Sequence, residues 1–60
     1  MVRYMVIKIY ADGTQKAEFI EEHDVLQSYL KSLREIERAY KLFAWSNNSN
    51  GYFLMKEWNA

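Results

Sequence analysis

The chain has 60 residues with no cysteine and one histidine, and its eight basic side chains are balanced by eight acidic ones. That length allows one domain, expected over residues 1–60, which buries only about 60% of the surface its unfolded form exposes. Disulfides and thiolate zinc sites are excluded, and the charge balance argues against non-specific duplex binding, which needs a basic surface.

Oligomerisation, or docking onto something larger, is then the remaining way to stabilise so small a fold. No apolar run approaches the roughly 18 residues of a membrane span. Lys8 interrupts the first apolar run and no small-residue cleavage site follows, so no signal peptide is expected. These features set the expectations of a cytoplasmic location and no membrane partner.

Residues 3–10, RYMVIKIY, are rich in Val, Ile and Tyr and end at the turn signal Asp12-Gly13, which predicts a strand. Residues 15–20, QKAEFI, are its hairpin partner. A two-residue Asp-Gly loop would pair Ile7 with Glu18, mixing apolar and charged positions. A three-residue loop, Ala11-Asp12-Gly13, with Gly13 as a left-handed bulge residue, pairs Ile7 with Ala17 and Met5 with Phe19. This register keeps one face apolar and is preferred, although it sets Lys8 against Lys16.

From Asp24 to Arg38, Val25, Leu26, Tyr29, Leu30, Leu33 and Ile36 recur at steps of three and four, the pattern of one apolar helical face. Asp24 stands where an N-cap belongs, and Gln27 completes an arrangement close to a capping box. Glu21, Glu22 and Asp24 suit the positive end of the helix dipole, and Arg34 and Arg38 the negative end.

Residues 39–45, AYKLFAW, can either prolong the helix or form a strand. The turn signal NNSNG at 47–51 and the strand-like YFLMKEW at 52–58 favour a second hairpin. A five-residue loop would set Lys41 opposite Glu57 and Phe43 opposite Met55. The fold class expected is therefore α+β: ββαββ, an antiparallel sheet with one helix packed on one face.

Alternation divides the strand residues into two sets. Met5, Ile7, Ile9, Ala17, Phe19, Phe43, Trp45, Phe53 and Met55 form one. Tyr4, Val6, Lys8, Tyr10, Ile20, Tyr40, Leu42, Tyr52, Leu54 and Trp58 form the other. Tyrosine hydroxyls want a partner or water, so the first set is placed under the helix and the second on the open face. An open face bearing so many apolar groups predicts a contact surface.

No catalytic constellation emerges. His23 beside Asp24 reads as a solvent-exposed pair at the helix start, and general acid–base work needs a geometry adjacent residues do not supply. The acidic cluster at 21–24 complements the helix N-terminus, and Asp12-Gly13 lacks the later ligands of a calcium loop. Neither glycine belongs to a phosphate loop. An enzyme is not expected, and no cofactor or metal.

The expected function is that of a small non-enzymatic protein-binding module: a homodimer that regulates or inhibits a larger protein. Very small cysteine-free chains, including phage-encoded inhibitors of host systems, often act this way, an expectation from length alone. Tyr4, Tyr10, Tyr52 and Trp58 are the expected anchors, with Lys8 and Lys56 at the rim. The competing reading is single-stranded nucleic acid or a nucleotide stacked on the same aromatics, with the lysines on phosphates.

Overall fold

A computed structural model describes residues 1–59 and shows four strands and one helix. These are β1 (Tyr4–Ile9), β2 (Gln15–Ile20), α1 (His23–Glu35), β3 (Ala39–Ser46) and β4 (Gly51–Trp58). All neighbouring strands pair antiparallel in one open sheet of order β2-β1-β3-β4. The ββαββ α+β arrangement is the one expected. β2 and β3 run parallel with β1 between them, so α1 must cross β1 to join them, and it packs against β2 and β3. The helix is too short to cross a membrane.

The first hairpin adopts the expected register, Met5 opposite Phe19, Ile7 opposite Ala17 and Lys8 opposite Lys16. Gly13 has φ +90°, the left-handed value a three-residue loop requires, and the Tyr10 N–H donates to the Thr14 carbonyl at 2.9 Å. Residues 39–46 are strand, so the helical extension is excluded. Lys41 faces Glu57 as expected, but Phe43 faces Leu54, because the register shifts at Leu42/Phe43 and leaves Met55 as the extra residue of a bulge.

The helix is shorter than the spacing predicts. Glu22, with extended backbone, is the N-cap and makes no side-chain cap bond. Asp24 lies inside the first turn, while the Gln27 amide lies 3.4 Å from His23 Nε2, so the capping box does not form. At the other end Glu37 takes φ +56°. Its N–H donates to the Arg34 carbonyl at 3.0 Å, and the Arg38 N–H to the Leu33 carbonyl at 2.8 Å. This Schellman closure stops the helix at Glu35, three residues before the predicted end. The buried stripe is Leu26, Leu30 and Leu33, whereas Val25 and Ile36 are 55% and 66% exposed.

The two faces of the sheet are reversed from expectation. Tyr4, Val6, Ile20, Tyr40, Leu42 and Ala44 lie under the helix in the core, and Met5, Ile7, Phe19, Phe43 and Trp45 share the open face. The tyrosine argument fails because α1, with 13 residues, spans only about 20 Å. Tyr4 and Tyr40 sit toward its two ends, where a hydroxyl can find polar company without leaving the core. Arg34 Nη1 donates to the Tyr40 hydroxyl at 2.9 Å, and the Tyr4 ring lies beside His23 and the Arg3 guanidinium. The β4 bulge also splits the expected set, moving Tyr52 and Leu54 to the open face and leaving Lys56 and Trp58 on the helix side.

Leu33→Ala is expected to cost roughly 2–5 kcal/mol. Ser32→Ala, on the exposed side, should change stability by about half a kcal/mol or less. Urea unfolding measures both, and equal shifts would contradict this packing. Glu37→Gly removes a Cβ from a left-handed position and is expected to raise stability by about 1 kcal/mol. An unchanged or lower midpoint would show that the closure carries no such strain.

Candidate functional site

On the open face, cross-strand pairing aligns Phe19, Met5, Phe43 and Leu54 in one row across all four strands. The central members are half-buried by their neighbours, while Phe19 and Leu54 on the edge strands are 54% and 47% exposed. The next row toward the β3–β4 turn brings Trp45 and Tyr52 together edge to face, with ring centroids 5.2 Å apart. Tyr52 also lies 6.4 Å from Phe19, though their strands are the two opposite edges of the sheet. Three strand spacings amount to about 14 Å, so these side chains lean inward over β1 and β3. The Tyr52 hydroxyl accordingly donates to the Val2 carbonyl at 2.7 Å, and Trp45 Nε1 to Asn47 Oδ1 at 3.0 Å.

On its other side the apolar row gives way to Ala17, Ile7, Lys41 and Glu57. Lys41 Nζ lies 3.6 Å from Glu57 Oε1, so the one cation of that row is already paired. The open face thus presents aliphatic and aromatic surface whose polar tips are satisfied within the fold.

The six residues singled out from the sequence do not form one surface. Tyr4 is 7% exposed and belongs to the core. Lys8, Tyr10, Lys56 and Trp58 lie on the helix side of the sheet, Trp58 stacked on Tyr40 with centroids 6.0 Å apart. Tyr52 alone is on the open face. The structure places Lys8 against Tyr29 of the helix, opposite Lys16, and Tyr10 against Arg38 just past the helix end. The Lys8 ammonium lies 5.8 Å from the Tyr29 ring centroid. The nearby Tyr29 hydroxyl, with Tyr10 contributing, raises the Lys8 pKa above its ordinary 10.5 against the lowering effect of burial. That hydroxyl is itself buried with no hydrogen-bond partner, so the approach favours the ammonium while remaining too long for a formed bond.

Phe19, Phe43 and Trp45 were missed as surface groups, whereas Leu54 lies on the open face as expected. The signal that could have found them is Ile20, the only aliphatic residue of β2 on the opposite face from Ala17 and Phe19. It immediately precedes the turn into α1, and so has to lie beneath the helix. His23 and Asp24 are both exposed, with 4.0 Å between Nδ1 and Oδ1. Comparison of the chain with family models, with curated proteins and with solved structures finds no match in any of the three.

In the first hairpin, Asp12 Oδ1 accepts hydrogen bonds from the Thr14 backbone N–H at 3.0 Å and the Thr14 hydroxyl at 2.7 Å. The backbone bond first, then the hydroxyl, holds the Asp12 carboxyl below its ordinary 3.8. A depressed carboxylate stabilises the fold above its unfolded value and loses that contribution as pH falls through the folded one. The stability difference between wild type and Asp12→Ala is therefore expected to be full at pH 7 and to shrink below pH 3.8. Urea unfolding across that range tests it, and a difference unchanged into strong acid would contradict it.

Proposed function

We propose that the chain acts by binding and not by catalysis. The open face of its sheet is the contact surface, first for a second copy of itself and, as a dimer, for a larger protein that it regulates or inhibits. The observation that carries this reading is the uncovered row Phe19, Met5, Phe43 and Leu54, continued by Trp45 and Tyr52. Aromatic and aliphatic anchors with internally satisfied polar tips are what a desolvated interface requires.

Size supports the same reading. A standard interface takes about 800 Å² from each partner, near a fifth of the 4283 Å² this chain exposes. A broad face of a body measuring 34 × 24 × 15 Å is of that order. Two-fold pairing would set the apolar row of one copy against the same row of the other, the self-complementary arrangement usual in small dimers. Nucleic acid on this face has less support, because Lys41 is engaged by Glu57 and few cations remain there for phosphates.

Light scattering from micromolar to millimolar concentration should show the mass rising from one chain to two. A double substitution, Phe19→Lys with Leu54→Lys, changes two half-exposed residues and should hold the mass at one chain with an unchanged circular dichroism spectrum. A wild-type mass that never rises excludes the self-association. A captured larger protein that the double variant retains as well as wild type excludes this face as its binding surface.

A further inference from the structure

We infer that the end of the molecule beyond the helix C-terminus is an anion site for a phosphate-bearing small ligand, held by Lys16 and Arg38 beside the Tyr10 ring. The proposal is independent of the open face, since these residues lie on the helix side of the sheet.

Two positive charges, Lys16 and Arg38, line this end, and the register sets a third, Lys8, next to Lys16. Lys8 and Lys16 are directly opposite on β1 and β2, and Arg38 enters β3 beside Tyr10. Like charges facing across a ladder destabilise the pair unless something of opposite sign offsets them. Among the described residues no carboxylate lies within 4.0 Å of any of the three. Glu18 and Glu37, close to them along the chain, make no ion pair among those residues either.

Arg38 is held ready for such a ligand. Its guanidinium carbon is 4.3 Å from the Tyr10 ring centroid, and its backbone N–H is fixed by the helix closure. A guanidinium stacked on an aromatic ring keeps its in-plane donors available, the geometry that suits bidentate contact with phosphate. No side-chain hydrogen bond from Arg38 to another described residue uses them.

A hollow of about 480 Å³ opens between these groups, lined by Tyr10, Ala11, Asp12, Thr14, Lys16 and Arg38. That volume falls in the usual range for small-molecule sites, about 300–1,000 Å³. Asp12 is its one acidic lining residue, and Thr14 occupies the Asp12 carboxylate through two hydrogen bonds. Lys16 and Arg38 against the Asp12 carboxylate leave one net positive charge at the lining, with Lys8 adding to it from outside the hollow, opposite in sign to a phosphate monoester of about −1.5 to −2.

The test is an amide-resonance titration with inorganic phosphate, adenosine monophosphate and adenosine in parallel. Phosphate and the monophosphate should each shift residues 10–16 and Arg38 saturably, less strongly as salt rises, while adenosine leaves them in place. A stronger response to the monophosphate than to phosphate assigns a nucleotide-sized ligand, and equal responses assign the phosphate group alone. Lys16→Gln, at an exposed position, should weaken the monophosphate by roughly three- to fivefold. Arg38→Gln should weaken it at least as much, and Lys31→Gln on the helix not at all. The Phe19 and Leu54 double variant should titrate as wild type, so failure of the open face and failure of this site read out separately. Absence of saturable shifts, equal shifts with adenosine, or equal loss with Lys31→Gln would each overturn the proposal.

Discussion

The contact between one short helix and the middle of the sheet is what the rest of the structure depends on. Leu26, Leu30 and Leu33 rest on a floor made by Val6 and Leu42 of the central strands, closed at its margins by Tyr4, Tyr40, Ile20 and Ala44. Among the described residues no polar or charged one is buried with them. A single layer of contact is all that 60 residues can build, so its position decides which of the remaining apolar groups stay outside. The crossover from β2 to β3 sets that position, because it forces the helix over β1 and keeps it off β4.

Everything the helix leaves uncovered follows from that placement. One face of the sheet has no second layer, and Phe53, Leu54 and Met55 on β4 are about half exposed. The helix also ends before the first hairpin does, so Tyr10 and the hairpin loop lie past the Schellman closure, with Lys16 beside them. An apolar face and a basic end are therefore two products of one geometric fact: the covering element is smaller than the sheet it covers.

Much of the architecture was legible in the residues. Asp12-Gly13 and the demand for one apolar face determined the first hairpin register, since a two-residue loop would set Glu18 opposite Ile7. The strand identity of 39–46 followed from the turn at 47–50 and an apolar segment on each side of it. Which face meets the helix was not legible from alternation, because both sets are apolar and a tyrosine hydroxyl can be satisfied at the rim of a core as well as in water. The β4 bulge left no mark either: YFLMKEW alternates as well with one register as with the other, and only the pairing with β3 shows that Met55 is extra. Without the bulge Tyr52 and Trp58 would share a face, which is why four of the six residues singled out fall away from Tyr52 and Tyr4 falls inside.

A net charge of zero concealed a second feature, the separation of charge along the strands. Glu21, Glu22 and Asp24 surround the start of the helix, with Arg3 among them through its backbone bond to Glu21 Oε2 at 3.1 Å. Lys8, Lys16, Arg34 and Arg38 gather at the opposite end with Asp12, Glu35 and Glu37, which leaves it one positive charge in excess. Total charge describes the distant field, whereas a ligand meets the local one. The same separation constrains how two copies could meet face to face. A two-fold axis running along the strands would set acidic end on acidic end and basic on basic. An axis across the strands sets each acidic end near the partner's basic end, and electrostatic complementarity favours that register over the other.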